Sequence, residues 1–471
     1  MKLDRSRYVP ALPLLAAVCA AGALVFWWTR QGQDNLTERL PGTDHAAGTE
    51  GASGANPVLA GKLMPGSAQP ASLPGFWPQF RGPNRDGISP ETTPLARSWD
   101  AAGPRQLWAV DCGEGYAGPV VREGRVYLMD YDYDKKENVL RCLSLADGGE
   151  IWRYGYTAPV KRNHGMSRTT PAVSDKFVVA IDPKCRVVCL DAATGELRWG
   201  KDLVAEFGAT VPQWYTGQCP LIEGNAVIVA PGGHDALLAA AELATGKILW
   251  RAPNPHDWKM THSSVMAMEY GGRRFYVYCA SGGVAGVSAK DGALLWETAA
   301  WKISFANVPS PLALEGGRIL LSGGYDAGSM LLQLQDREGK LEPEIVWRLG
   351  PETFGATQST PIYDGGLVYG TRPNGQFVCL TPAGKLLWSS PVKDPYGLGP
   401  FLLADGLFFV MNDSGKLSLV EESASGFKLL GQAQVLHGRE SWGPMALTGG
   451  RLLARDLTRL VCLDVAAAQA H

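Results

Sequence analysis

Adjacent cysteines are missing from this 471-residue chain, as are C-x-x-C and C-x-x-C-H, so none of its nine Cys supports haem attachment or thioredoxin-like exchange. Histidine is scarce, and its seven residues never reach metal-ligand spacing; His256 and His262, six apart, give no zinc site. An excess of charge is also missing: a net charge of −2 excludes a nucleic-acid partner held by bulk electrostatics. The acidic run Asp130-Tyr-Asp-Tyr-Asp134 lacks the Gly and the closing Glu of a calcium loop, with Lys135 and Arg141 in those places, and reads as a solvated loop.

Long apolar runs are few. Residues 9–28 carry no charge and suffice to cross a bilayer as a helix. Lys2, Arg5 and Arg7 precede the run and only Arg30 follows closely, so a single-pass inner-membrane anchor is expected, with residues 1–8 cytoplasmic and the remainder periplasmic. The same stretch also reads as a cleaved signal peptide, given the small residues at 20–23, or as a lipoprotein segment ending at Cys19; the aromatic end at Phe26, Trp27 and Trp28 favours a retained anchor. Residues 29–75 are rich in Gly, Ala, Ser, Pro and Thr without apolar periodicity and are expected to form a flexible tether.

What the chain has in abundance is a repeat. Cys189-Leu-Asp-Ala-Ala-Thr-Gly-Glu-Leu-Arg-Trp199 reads as strand, tight turn and strand: Asp191 can bond its own backbone and Gly195 accepts positive φ. Copies end at Trp152, Trp250, Trp296, Trp347 and Trp388, and Trp108 stands alone before them. Successive Trp are 44, 47, 51, 46, 51 and 41 residues apart, and a weaker copy ends at Leu430. Such a period in a strand-rich chain indicates propeller blades of four strands. Cys142, Cys189, Cys379 and Cys462 begin the repeat strand where Ala240 and Gly286 stand in other copies, which marks a small buried position.

First strands are announced at Pro119, Pro171, Pro220, Ser263-Ser264, Pro311, Pro361, Pro400 and Pro444, giving eight blades over residues 104–466. The last copy, opening at Cys462, lacks its Trp strand, while Trp108 is a Trp strand without its copy. The expected solution is all-β: an eight-bladed propeller of four-stranded blades, closed by pairing of the N-terminal Trp108 strand with the C-terminal blade. Residues 76–103 then form a lead-in packed on the propeller, and 467–471 a tail.

The copies Asp191-x-x-Thr194-Gly195-Glu196-x-x-Trp199 and Glu242-x-x-Thr245-Gly246-Lys247-x-x-Trp250, with the lead-in 76–90, resemble the propellers with pyrroloquinoline quinone (PQQ)-like repeats. That resemblance covers roughly residues 76–465. It implies that Trp108, Trp152, Trp199, Trp250, Trp296, Trp347 and Trp388 dock blade against blade. The architecture serves quinoprotein alcohol dehydrogenases and the BamB-type lipoprotein of outer-membrane barrel assembly alike, so it implies a fold more than a function.

If the strands alternate, the Thr-Gly turns lie on one face and the blade-to-blade loops on the other. Tyr116, Arg168, Gln218, His262, Asn307, Gln358 and Trp442 precede first strands and are expected at the channel mouth, with His164 and Trp214 farther out; together they form the candidate face for a ligand or partner. Arg81, Asn84, Arg85 and Asp86 read either as a ligand clamp or as residues that lock the lead-in through backbone bonds. No catalytic residue, metal site or cofactor is expected. The expected function is a non-catalytic, membrane-anchored periplasmic scaffold with an envelope protein or peptide as partner. The alternative is a quinoprotein alcohol or sugar dehydrogenase using PQQ with calcium, against which stand the missing Cys pair and the short blades.

Overall fold

A computed structural model describes residues 17, 19–22, 55–73, 75–100, 102–162, 164–303 and 305–468. The chain divides into two compact units, residues 1–46 and 47–471. In the first, the described residues 17 and 19–22 are helical and exposed.

The second unit is a ring of eight sheets, mostly of four strands and antiparallel but for one added strand in the seventh. In the second blade, for example, Ala172–Val173, Phe177–Ile181, Arg186–Asp191 and Leu197–Asp202 run in order from the innermost strand outward. Every blade carries one bulge at the same place in its third strand, between Cys189 and Leu190 here and between Cys462 and Leu463 in the last blade. The residue before the bulge faces the Trp of the outer strand: Cys142 faces Trp152, Cys189 faces Trp199, Ala240 faces Trp250 and Gly286 faces Trp296. A small residue there leaves room for the indole on the sheet surface, which explains the recurring Cys.

The Trp then reaches the next blade. Trp108, Trp199, Trp347 and Trp388 each donate an indole N–H to a backbone carbonyl one blade on, those of Leu145, Leu243, Pro382 and Ser423, at 2.8–3.1 Å. The ring lies on the turn glycine of that blade: a Cβ at Gly195 would sit 2.7 Å from Trp152, and one at Gly246 2.7 Å from Trp199. Both glycines have φ near +75°, so conformation and contact exclude a side chain together. The seventh blade has no Trp of its own. Gly431 faces Leu419 there, and Trp99 from the lead-in lies over Gly431 and beside Phe409, supplying the missing indole from elsewhere in the chain.

Three expectations are corrected. First, Arg105–Asp111 is the outer strand of the eighth blade, paired with Arg459–Asp464 so that Trp108 faces Cys462, but among the described residues no sheet is closed by hydrogen bonds. The ring is completed by the chain passing from the eighth blade into the first, and the blades meet through side chains. Second, the membrane anchor at 9–28 is not supported: among the described residues no helix is long and apolar enough to cross a membrane, and most of that run lies outside the described residues. The expected inner-membrane partner and placement fall with it.

Third, residues 55–73, assigned to the tether, dock on the first blade. Lys62–Pro65 pairs with its outer strand Glu150–Thr157, Val58 is fully buried, and Tyr154 donates to the Val58 carbonyl at 2.7 Å. Covering an exposed strand edge takes backbone groups more than apolar periodicity, so composition alone did not reveal it. With Phe76–Trp77 inside, the first blade reaches six strands; Ile88–Ser89, parallel to Phe401–Ala404, gives the seventh five.

Candidate functional site

The lead-in determines the shape of the site. Residues 76–89 do not run around the propeller but across its axis. Phe76–Trp77 pairs with the innermost strand of the first blade, and Phe76 N–H donates to Thr448 Oγ1 of the eighth at 2.7 Å. The Pro78 carbonyl accepts from Val173 of the second blade at 2.8 Å, and Arg85 Nη1 donates to the Pro220 carbonyl leading into the third at 3.0 Å. Arg81 donates to the carbonyls of Thr360 at 2.5 Å and Pro361 at 2.7 Å in the sixth, and to those of Arg85 and Asp86 in its own turn. With the seventh, paired through Ile88–Ser89, six blades are tied to one segment, which fills the channel as a plug.

The chain makes the required turns at Gly82 and Gly87, both with φ above +80°, and the Trp77 indole packs 3.1 Å from where a Cβ at Gly82 would stand. Burial pulls the Arg81 and Arg85 guanidinium groups down to about 10. Of the two readings for this cluster, the bonds of Arg81 and Arg85 go to backbone carbonyls.

Above the plug is a cavity of about 320 Å³ with Trp77, Phe80, Arg81 and Gly87 in its floor. Its wall comes from the loops preceding innermost strands. Seven of the nine candidate residues line it: Tyr116, His164, Arg168, Trp214, His262, Gln358 and Trp442. Gln218 and Asn307 do not. Gln218 is fully buried and its amide clasps both backbone groups of Ala230, at 2.6 and 2.9 Å, so it braces the third blade. Asn307 is buried, and neither polar atom of its side chain has a hydrogen-bond partner.

The polar part of the cup is small and connected. Tyr116 hydroxyl donates to the Glu440 carboxylate, its ring lies 5.3 Å from that of Trp442, and the Arg168 guanidinium stands over the same Tyr116 ring, 5.9 Å from its centroid. Burial lowers Arg168 to about 10, against the pull of Tyr116, Tyr215 and Glu440. His262 packs on Gly217, leaving no room for a Cβ there. Burial first, and the Arg168 charge second, push its imidazole down to about 4, although the backbone of Trp214 and Tyr215 bonds to the ring. Its Nε2 is buried without a partner.

Sequence reading missed the rim. Phe305 and Tyr325 are about half exposed, and Trp214, Phe305 and Tyr325 form a run of rings at 4.6 and 4.8 Å centroid separations. Phe305 stands two positions before Asn307, the residue chosen from the same loop, and no local signal separates an aromatic turned out from one turned in. Conversely Trp258 and Trp301, which also lie in loops on this face, are buried inside the ring.

Among the described residues no Asp or Glu lines the cup. Among the described residues no group of His, Cys, Asp and Glu is placed to hold a metal ion. Asp130, from the acidic run, is engaged with Arg141 at 3.0 Å and with the Gly113 N–H at 2.7 Å.

Comparison with known proteins follows the same lines. A segment of 160 residues is 29% identical to the serine/threonine-protein kinase AfsK of Streptomyces griseus, covering 33% of this chain but only 18% of that protein, which leaves the rest of the kinase without a counterpart. The outer membrane protein assembly factor BamB of Yersinia pestis is 22% identical over 303 residues, 60% of this chain and 70% of the relative. Among solved structures, BamB from Moraxella catarrhalis superposes with a TM-score of 0.54 at 14% identity, covering 76% of this chain and 99% of that one. A europium-containing methanol dehydrogenase superposes with a TM-score of 0.58 at 15% identity, covering 81% and 89%; these likenesses establish the propeller fold alone. Residues 135–383, more than half of the chain, match the family described as outer membrane protein assembly factor BamB, and the chain belongs to that BamB-like family of PQQ-repeat propellers.

Proposed function

We propose that this propeller is a non-catalytic, protein-binding scaffold of the cell envelope, with the aromatic-rimmed cup as its docking site. One observation carries the reading: the cup combines exposed rings with two guanidinium groups, and the carboxylates that touch its wall, Glu440 and Asp413, are engaged by the Tyr116 hydroxyl and the Trp442 indole N–H. Trp, Tyr and Arg are the residues that anchor protein interfaces, because they bring contact area at low entropic cost. The names of the BamB relatives point to an assembly role of the same kind.

The quinoprotein reading finds less in these residues. A quinone held with calcium asks for carboxylate oxygens around the cation, and the lining supplies none. Trp77 and Phe80 of the plug occupy the floor where a planar cofactor would have to rest, and Arg81 is already spent on backbone carbonyls. The residues present do not fit that group.

The test is a photo-crosslinking residue at Tyr325 in the native cells. The expected result is a discrete adduct with another outer-membrane assembly component, absent when the crosslinker is moved to Lys247 on the opposite, turn-bearing face. Crosslinks of equal strength from both positions would defeat the assignment of the face. Stoichiometric PQQ binding with calcium and alcohol-dependent dye reduction by the purified protein would overturn the non-catalytic reading.

A further inference from the structure

We propose that the cup receives one indole side chain, a Trp projecting from a loop of a partner polypeptide, with its N–H donated to His262 Nε2 and its ring against the Trp214–Phe305–Tyr325 run. The inference rests on the scaffold reading and names the chemistry of what docks.

The shape of the cup selects a side chain. The plug closes the cavity below, so it is a blind recess along which no chain can thread. At about 320 Å³ it has room for one large side chain and for no folded domain. Aromatic surface meets the occupant from below at Trp77 and Phe80 and from the lip at Phe305 and Tyr325, whose rings are about half exposed. A flat apolar ring gains most from such walls, through offset and edge-to-face contacts.

The polar wall is largely committed. The Tyr116 hydroxyl donates to Glu440, the Trp442 indole to Asp413 Oδ1 at 2.8 Å, and the Ser359 hydroxyl to the Gly399 carbonyl at 3.2 Å. Arg81 is spent on backbone carbonyls, and Arg168 stands over the Tyr116 ring with an interaction of its own. A carboxylate entering the cup would shed its water without gaining an open cation, and an ammonium would come up beside two guanidinium groups. An uncharged occupant meets neither cost.

One acceptor is left open. Among the described lining residues, only His262 has a buried side-chain polar atom without a partner, its Nε2. The backbone of Trp214 and Tyr215 bonds to the same ring, and burial keeps the imidazole neutral at pH 7, so Nε2 accepts and does not donate. Leaving a buried acceptor unmatched is costly, and a ligand that brings one donor and no further polar group answers it. The indole N–H is a donor alone and asks nothing of the donors already engaged. A sugar would instead bring several hydroxyls to a wall with one open buried acceptor.

The experiment uses the full chain and dye-labelled Gly/Ser heptapeptides with blocked ends and one central residue, followed by fluorescence anisotropy. That residue is Trp, its isostere benzothienylalanine, in which sulfur replaces the N–H, or Gly. The Trp peptide should bind, the isostere about tenfold more weakly because the buried acceptor goes unanswered, and the Gly peptide more weakly still. His262→Leu should erase the difference between Trp and isostere. Phe305→Ala, at an exposed position, should weaken both severalfold, which tests the ring contact even if His262→Leu fails to fold. Equal binding of the Trp peptide and its isostere by the parent, or no binding of the Trp peptide at millimolar concentration, overturns the proposal. Displacement of the Trp peptide by millimolar maltotriose in the parent would hand the cup to a sugar and overturn it as well. If the Tyr325 crosslink to an envelope component persists under saturating Trp peptide, the scaffold reading stands and the indole reading falls.

Discussion

Arg81 in the lead-in and Thr360 before the sixth blade are 279 positions apart, yet the guanidinium of one donates to the carbonyl of the other at 2.5 Å across the axis of the ring. Replacing Arg81 with Met removes bonds to four backbone carbonyls and leaves those of Thr360 and Pro361 buried without a donor. Each such charge-assisted bond contributes about 1.5–3 kcal/mol, so a loss of at least about 3 kcal/mol is expected. Unfolding of so large a body need not be reversible, and the measurement is therefore the half-life at elevated temperature together with Tm. An unchanged half-life would mean that the plug is held by its strands alone.

The turn glycine makes a second, independent prediction. Gly195→Ala places a methyl 2.7 Å from the Trp152 ring at a φ of +77°, so the residue must leave its conformation or push the indole from its seat. The backbone term alone costs about 1–2 kcal/mol. Gly426→Ala, where a Cβ meets nothing within 4 Å, should stay within about 0.5 kcal/mol of the parent. Denaturant melts of the pair separate a docking glycine from an ordinary one.

These relationships differ in how far they could be read in advance. The Trp108 strand was legible because its repeat partner at Cys462 is visibly incomplete, and the small residue before the bulge was legible in six blades, where Cys, Ala and Gly alternate, whereas Leu331 and Leu419 stand there in the other two. The plug was not: its bonds run from side chains to backbone carbonyls of distant loops, and carbonyls have no sequence signature. Trp99 was invisible as the surrogate for the seventh blade, since it lies outside the period it completes. For the site, position before a first strand found the wall of the cup but could not tell Arg168, which lines it, from Gln218, which turns away to clasp Ala230. Exposure of a ring, as at Phe305, is decided by the neighbours it meets in space.

Thiol chemistry offers a third measurement. Eight of the nine cysteines lie in the propeller; seven of these are buried, and burial pushes Cys185 and Cys279 up to about 12 and Cys112 and Cys462 up to about 11. The thiolate is the reactive form, so at pH 8 these groups are almost wholly unreactive. Native protein treated briefly with a thiol reagent should be modified at the exposed Cys19, slowly at half-buried Cys112, and elsewhere only after denaturation. Rapid modification of Cys142 or Cys189 would mean that blades separate on the timescale of the reagent.

The imidazole of His262 gives the cup a pH signature. Burial and the Arg168 charge hold it near 4, while an unfolded chain takes up the same proton near 6.5. Between these values the unfolded state binds more protons than the folded one, so stability is full above pH 6.5 and falls as pH drops toward 4. The span corresponds to up to about 3 kcal/mol. Other groups titrate in the same range, so the informative quantity is the stability difference between the parent and His262→Gln, followed from pH 7.5 to 4.5. That difference should shift steadily in favour of the variant as pH falls. A difference that stays flat with pH would show that His262 titrates normally and that the cup is open to water at its polar end.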